Sequence, residues 1–442
     1  MSLEPQIFVQ RRQALLDSMG PGVMVLPAPP TFIRNNDVEH EYRQGSDLYY
    51  LSGFEEPESV LVLSNTHATQ RAVLFLRERD PERETWDGPR LGVERAVQAL
   101  GIDAAFPIRE LEARLPDYLE NTRRVHYRIG LDRAFDERFL RALDVVRVRA
   151  RRGVECPSEI IDPGASVHEM RLRKSPAEIA VMRRAAAITR EAHLAAMHAA
   201  LPGRHEYEVE AELLRVFRKH GSERPAYGSI VGSGPNATIL HYRKNDRRLE
   251  TGDLLLIDAG AEYGMYASDV TRTFPVSGTF TPGQREIYEL VLASQLAAID
   301  AVKPGATLEG IHDVTVGVLV DGLLSLGLLA GSRQEVLEKG EYRRFYMHRT
   351  SHWLGMDVHD VGRYHQQGAP RPLEPGFVLT IEPGLYIAPN ADVDPRFRGI
   401  GVRIEDDILV TPAGGDNLTH EIPKQASELE SILRERSGVN AA

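Results

Sequence analysis

The stretch DAGAEYGMYASDVTRTF, Asp258 to Phe274, follows the apolar run LLLI at 254–257 and decides how the C-terminal half of the chain is built. Tyr263 and Gly264 read as the two-residue turn of a β-hairpin, with β-forming residues on either side. In that register Asp258 faces Asp269 across the ladder. Opposed Cβ atoms lie only about 4.5–5.5 Å apart, and like charges there destabilise the pair. The two acids therefore call for a neutralising partner.

The same pattern occurs twice. TGDLLLIDAG (251–260) aligns without gaps on PGFVLTIEPG (375–384), which sets Asp258 against Glu382. Both halves continue into another acid-bearing strand, ASDVTRTF with Asp269 and GVRIEDDILV with Glu405. Helix-start signatures recur as well: Ser175, Pro176, Ala177 and Glu178 in one place, Thr281, Pro282, Gly283 and Gln284 in the other. Each capped helix leads through a Pro-Gly break, LPGRHEYEVEAELLRVF from Leu201 and KPGATLEGIHDVTVGVL from Lys303, into a second amphipathic segment. The expectation is a duplicated unit in which two hairpins, each offering two carboxylates, face one another across a pseudo-twofold axis.

At 442 residues the chain is too long for one ordinary core, and two domains are expected, 1–170 and 171–442. The first mixes strand-like runs (GVMVLP, SVLVLSN, RAVLFLRER) with helix-like ones (VERAVQALG, ELEARLPDYLENT, ERFLRALDVV), an α/β alternation. An Arg-rich passage with Pro157, Pro163 and Gly164 reads as the crossing between domains. The start, MSLEPQIFVQRRQALLDSMG, lacks a signal peptide's apolar core, and its Ile7, Val9, Leu15 and Leu16 suit an amphipathic helix. No apolar run reaches the length of a membrane span. The formal net charge of -11 argues against nucleic acid or an anionic membrane as the main partner. With Cys156 as the single cysteine there is no intrachain disulfide and no thiolate metal cluster, which fits a reducing, cytoplasmic setting.

Acids gathered from both hairpins would repel one another, and each buried ion costs several kcal/mol. Divalent cations remove the difficulty. HRTSHWLGMDVHD supplies His348, His352 and His359 as candidate nitrogen ligands. One imidazole with several carboxylates is a hard, oxygen-rich set that suits Mn²⁺, Co²⁺ or Fe²⁺ better than a structural Zn²⁺ site. Two such ions roughly 3.5–4 Å apart would hold and deprotonate a water and polarise a carbonyl, so hydrolysis is the expected reaction. Arg403, two residues before Glu405 on the same strand face, reads as a clamp on a ligating carboxylate. Each residue alone has an ordinary structural explanation, a solvated strand-end acid or a hydrogen-bonded histidine. Their joint presence carries the metal reading.

These residues resemble the pita-bread metallopeptidases, and among them the aminopeptidase P type. The matching stretches are YRQGSDLYYLSGFEEPESVLVL, ETWDGPRLG, VHEMRLRKSPAEIAVMRRA, VGSGPNATILHYRKN, the opening Asp pair, SHWLGMDVHD, LTIEPGLYI and GIGVRIEDDI. The resemblance implies an N-terminal α/β domain followed by a duplicated α+β catalytic domain, and a metal-dependent exopeptidase that removes the residue preceding an N-terminal proline bond. It also implies two divalent ions, Mn²⁺ first, with Co²⁺, Fe²⁺ or Zn²⁺ as alternatives. By position their ligands are Asp258, Asp269, His352, Glu382 and Glu405, with Asp269 and Glu405 bridging. In this reading an activated hydroxide attacks the scissile carbonyl, Glu382 acts as general base and acid, and His359 and His241 steady the carbonyl and oxyanion. His348 and Tyr227 line the pocket, and Asp258 lies near the substrate amine. Trp86 matches a residue that covers the pocket of an adjoining subunit, which implies a homo-oligomer, dimer or tetramer.

Rival readings share parts of this pattern. A Xaa-Pro dipeptidase uses the same metal site, but YRQGSDLYYLSGF and RERDPERETWDGPRLG resemble the aminopeptidase P type. Methionine aminopeptidases typically lack the long N-terminal domain, creatine hydrolases lack the dinuclear set, and metal-free binding proteins of this fold have lost the ligands. One departure is visible. Where some members have Gly after the first histidine of the H-x-x-S-H motif, this chain has Arg349, which bears on substrate preference.

Overall fold

In this computed structural model residues 3–439 are described, and they form two compact units, one ending at Arg171 and the other beginning at Leu172. The N-terminal unit carries a six-stranded mixed sheet in the order Ala104–Pro107, Ala72–Leu76, Val60–Ser64, Val23–Pro27, Arg124–His126, Glu159–Ile161. Its central strands are short, continuous apolar runs buried along their whole length, as strands covered on both faces must be. Val23, Val25, Val60, Val62, Val73 and Phe75 pack against Leu111, Leu115, Phe139 and Leu143 of helices Leu111–Leu119 and Arg133–Arg149. The expected N-terminal helix runs from Pro5 to Ser18 and buries Leu15 and Leu16. The passage read as a crossing supplies the edge strand Glu159–Ile161, followed by helix Gly164–Leu172.

The C-terminal unit is built from two similar parts. In the first, helix Pro176–Ala199 packs on helix Glu206–Lys219; in the second, Pro282–Asp300 packs on Leu308–Ser325. Both leading helices begin with the reciprocal caps that their sequences announce. Ser175 Oγ accepts from Glu178 N while Glu178 Oε2 accepts from Ser175 N at 2.8 Å, and Thr281 and Gln284 repeat the exchange. These helices enclose a core in which Val209, Leu213, Phe217, Ile287, Val291, Leu319 and Val320 meet the sheet residues Leu255, Ile257 and Phe274. Burying each such side chain contributes about 1.5–3 kcal/mol.

Strand Leu254–Asp258 pairs antiparallel with Ile230–Ser233 and Thr271–Pro275, and in the second part Val378–Ile381 pairs with Asp406–Thr411. Each ladder then breaks and resumes as a shorter hairpin, Ala261–Tyr263 with Tyr266–Ala267, and Gly384–Tyr386 with Gly401–Arg403. The break in the first ladder falls at Gly260, where a Cβ would run into the carbonyl oxygen of Ser268, so only glycine permits the approach.

The hairpin turn corrects the sequence reading. Tyr263 pairs with Tyr266, so the turn residues are Gly264 and Met265 rather than Tyr263 and Gly264. Both have positive φ, 53° and 68°, the signature of a type I′ turn. Moving the turn by one residue shifts the partner of Asp258 by two, and Asp258 stands opposite Thr271, not Asp269. Asp269 lies two residues earlier, where it approaches Asp258 diagonally. In the second part, Ile381 pairs with Asp406 and Gly384 with Arg403, a register that sets Glu382 across from Glu405. The direct opposition of acids expected in the first hairpin occurs in the second.

Candidate metal centre

Asp258 ends its strand at the point where the ladder breaks, and two groups hold its carboxylate. Arg403 Nη2 donates to Oδ2 at 2.5 Å and the Tyr227 hydroxyl donates to Oδ1 at 2.6 Å. The same hydroxyl also bonds Asp269. A phenol carries one hydrogen and can satisfy only one of the two acids at a time.

Asp269 is aimed from behind by Asp407, whose carboxylate accepts from the Asp269 backbone N–H at 3.2 Å and from Ser268 Oγ at 2.8 Å. Glu405 is reached from the opposite hairpin, its Oε2 accepting from Thr271 Oγ1 at 2.7 Å, while its backbone N–H donates to Thr271 O. Thus the two hairpins are stitched together where their acids converge.

His352 stands between Asp269 and Glu382, with Nε2 at 3.4 Å from a carboxylate oxygen of each. Its Nδ1 lies 3.0 Å from the Trp353 carbonyl. A carbonyl can only accept, so Nδ1 carries the hydrogen and Nε2 offers a lone pair to the cluster when the ring is neutral, the arrangement of a metal-ligating imidazole. Asp269, His352 and Glu405 each present a donor atom, all within 4.8 Å of one another.

Asp258, Asp269 and Glu405 are 8, 5 and 2% exposed. Burial, strengthened by the neighbouring acids, raises the Asp258 carboxyl despite Arg403, raises Glu405 well above the carboxylate range, and pushes Glu382 up to about 7. The His352 ring responds in the opposite sense: burial disfavours its charge, yet Asp269 and Glu382 push it up to about 9. The Tyr227 phenol is raised strongly by burial and by Asp258, Asp269 and Glu405. These shifts report a surplus of buried negative charge. The hard oxygen donors, the imidazole lone pair that faces them and that surplus fit divalent cations.

The cluster opens into a cavity of about 660 Å³ lined also by Tyr227, His241, His348, His359 and Arg403. The His359 ring meets the His352 ring edge to face at 4.5 Å, and burial together with His352 lowers its pKa. His348 Nε2 lies 2.8 Å from the Tyr386 hydroxyl, which accepts from Arg403 Nη1 at 2.9 Å and so has its own hydrogen free for His348. Burial and Arg403 bring the His348 ring down to about 3, which leaves a neutral imidazole in the wall. Trp86 belongs to the N-terminal unit, on helix Pro81–Asp87, and the residue is 86% exposed rather than packed.

Sequence reasoning missed Tyr386, Thr271 and Asp407. A period-2 count would have found all of them. Tyr386 follows Glu382 and Gly384 on one strand face, Thr271 follows Asp269 by two, and Asp407 follows Glu405 by two.

Residues 180–412 match the model of metallopeptidase family M24, and residues 8–127 match the aminopeptidase P N-terminal domain. The chain is 46% identical over 430 residues to a Xaa-Pro aminopeptidase of Escherichia coli (strain K12), covering 97% of each chain. It is 44% identical to a Xaa-Pro aminopeptidase of Haemophilus influenzae, covering 98% of each. Among solved structures it superposes on Pseudomonas aeruginosa aminopeptidase PepP with a TM-score of 0.97 and 48% identity, covering 99% of both chains. On a variant of Escherichia coli aminopeptidase P in complex with substrate the TM-score is 0.96 at 45% identity, covering 99% of this chain and 100% of that one.

Proposed function

The chain belongs to metallopeptidase family M24, with an aminopeptidase P N-terminal domain ahead of the pita-bread catalytic domain, and from that premise we propose that it is a Xaa-Pro aminopeptidase, a hydrolase that releases the residue preceding a proline at a peptide's N-terminus. The observation that carries this reading at the site is the convergence of Asp269, His352 and Glu405 donor atoms, with Glu382 and Asp258 beside them, at the floor of one cavity.

Asp258, Asp269, His352, Glu382 and Glu405 would hold two divalent ions, with Asp269 and Glu405 shared between them; Mn²⁺ suits the oxygen-rich donors best, and Co²⁺, Fe²⁺ or Zn²⁺ are alternatives. When bound, such ions supply Lewis-acid activation of a water and of the scissile carbonyl. Glu382 would take a proton on its carboxylate and return it to the departing proline nitrogen. His359 and His241, both at the cavity wall, donate to the carbonyl oxygen as it gains charge. The free α-amine of the substrate sits towards Asp258, which restricts the enzyme to chain ends. His348 and Tyr227 form the wall against the proline side.

The exposed Trp86 supports a homo-oligomer in which it covers an adjoining subunit's pocket. No described helix is long and apolar enough to cross a membrane, and a cytoplasmic setting accords with the single cysteine. The test is to strip the protein with chelator, restore Mn²⁺, and follow by mass spectrometry a Xaa-Pro dipeptide, a Xaa-Pro-Xaa tripeptide and Met-Ala-Ser. Metal-dependent loss of one residue from the proline tripeptide is the expected outcome. Cleavage confined to the dipeptide would make the protein a prolidase, and inertness with every metal would make it a binding protein.

A further inference from the structure

A second cavity of about 280 Å³ adjoins the first, and the two share Arg349, Ser351 and Tyr364 in their linings. The rest of its wall includes Leu308, His312 and Thr350. Four observations give this space a chemical character. Ser351 Oγ is buried without a hydrogen-bond partner, although its residue lines both cavities. His312 Nδ1 is engaged by Thr350 Oγ1 at 2.8 Å, and burial, with Arg349 acting in the same direction, lowers its pKa and keeps the ring uncharged. Glu309, the acid of this wall, is bonded to His365 at 3.0 Å rather than to Arg349. Among the described residues no hydrogen bond or carboxylate partner engages the Arg349 guanidinium, and the residue is exposed.

The position of Arg349 relative to the chemistry follows from its neighbour. His348 Nδ1 lies 3.9 Å from Glu382 Oε2, and Arg349 is the next residue in sequence, at the boundary between the catalytic cavity and the side cavity. An exopeptidase fixes the substrate's amino end at the acid cluster, so everything beyond the proline must lead away from the acids. Three extended residues span at most roughly 10 Å. The carboxylate of a tripeptide therefore falls within reach of a long side chain standing one residue from the catalytic wall. A guanidinium with no protein partner is matched to a carboxylate by its fork of donors.

Building on the aminopeptidase reading, we infer that Arg349 and the side cavity it borders form a subsite for a carboxylate carried by the residue after proline, with the buried Ser351 hydroxyl as a second donor. The carboxylate has two sources: the C-terminus of a tripeptide, or the acidic side chain of the third residue in a longer peptide. Arg349 is thus a specificity determinant that favours short or acidic Xaa-Pro peptides.

The test uses the full-length protein loaded with Mn²⁺ and two matched pairs, Xaa-Pro-Ala as free acid and as amide, and Xaa-Pro-Glu-amide against Xaa-Pro-Gln-amide. The wild-type enzyme should prefer the carboxylate-bearing member by about three- to fivefold in kcat/KM, the range of an exposed ion pair, with the difference in KM. Arg349→Gly should bring the ratio close to one, Arg349→Lys should retain part of it, and high salt should shrink it in the wild type. Preference in the first pair alone assigns the subsite to peptide C-termini, and in the second pair alone to acidic side groups. A wild-type ratio of one in both pairs, or a preference that survives Arg349→Gly, overturns the inference. Failure of the parent reading looks different, because then the wild type cleaves none of the four peptides.

Discussion

Arg403 Nη2 stands 2.5 Å from Asp258 Oδ2, so a cation from the second hairpin is bound to the acid that ends the first. The same guanidinium holds the Tyr386 hydroxyl and Thr271 Oγ1. The arginine and the acid are both buried, and removing one charge leaves the other uncompensated. Arg403→Met should cost about 3–5 kcal/mol of stability. It should also lower kcat/KM by roughly a hundredfold through displacement of Asp258 and His348. Thermal melts and steady-state kinetics at saturating Mn²⁺ check this, and a variant matching the wild type in both would leave Arg403 with no organising role.

Lys174 and Asp360 form a buried pair at 2.9 Å, each side chain 1% exposed, and Asp360 directly follows His359. The pair anchors the segment that presents that histidine. Lys174→Met should remove about 3–5 kcal/mol from the unfolding free energy of the C-terminal unit in urea. An unchanged midpoint would mean that the segment is held by its other contacts.

His359 touches the cavity and the His352 ring without contributing a donor to the acid cluster. His359→Ala should therefore keep the wild-type metal content and lose about 10²–10³ in kcat, the cost of removing an oxyanion donor. Unchanged turnover would exclude that role.

The metal-free protein should show an inverted pH dependence. Glu382 has a folded-state pKa of about 7, above the ordinary glutamate value of about 4.3, so the folded state binds the extra proton. His352, raised to about 9 from an ordinary value near 6.5, acts in the same direction. The stability contributed by both is present below their unfolded pKa values and is lost as pH rises through the folded ones. The apo protein should accordingly melt at progressively lower temperature from about pH 5 to pH 9. Saturating Mn²⁺ should raise the melting temperature, by about 2.7 kcal/mol of stabilisation at a hundred times Kd, and flatten the slope. Calorimetry of both forms across that range decides; a flat apo profile would show that the acids carry no surplus charge.

Much of this was legible in the sequence, and the failures have physical causes. The duplicated helix caps and the alignment of Asp258 with Glu382 appear in the structure as two copies of one supersecondary unit, because capping boxes and strand periodicity are local signals. The turn was misplaced by one residue because Met265 adopts positive φ, which no propensity announces in a residue with a side chain. That small error moved Asp269 from directly opposite Asp258 to a diagonal position. The Arg403–Asp258 and Asp407–Asp269 contacts join residues far apart in sequence, and only the folded packing of the two hairpins brings them together. Trp86 illustrates the limit from the other side: an aromatic that composition would bury is exposed.

The most direct test of the central claim is a metal count. After chelation and reloading with Mn²⁺, the wild-type protein should retain two ions after desalting. Asp269→Ala should hold fewer and lose peptide hydrolysis, because Glu405 alone cannot keep both ions in the acid cluster. A wild-type protein that retains none, or an Asp269→Ala variant with two ions and full activity, would contradict the account.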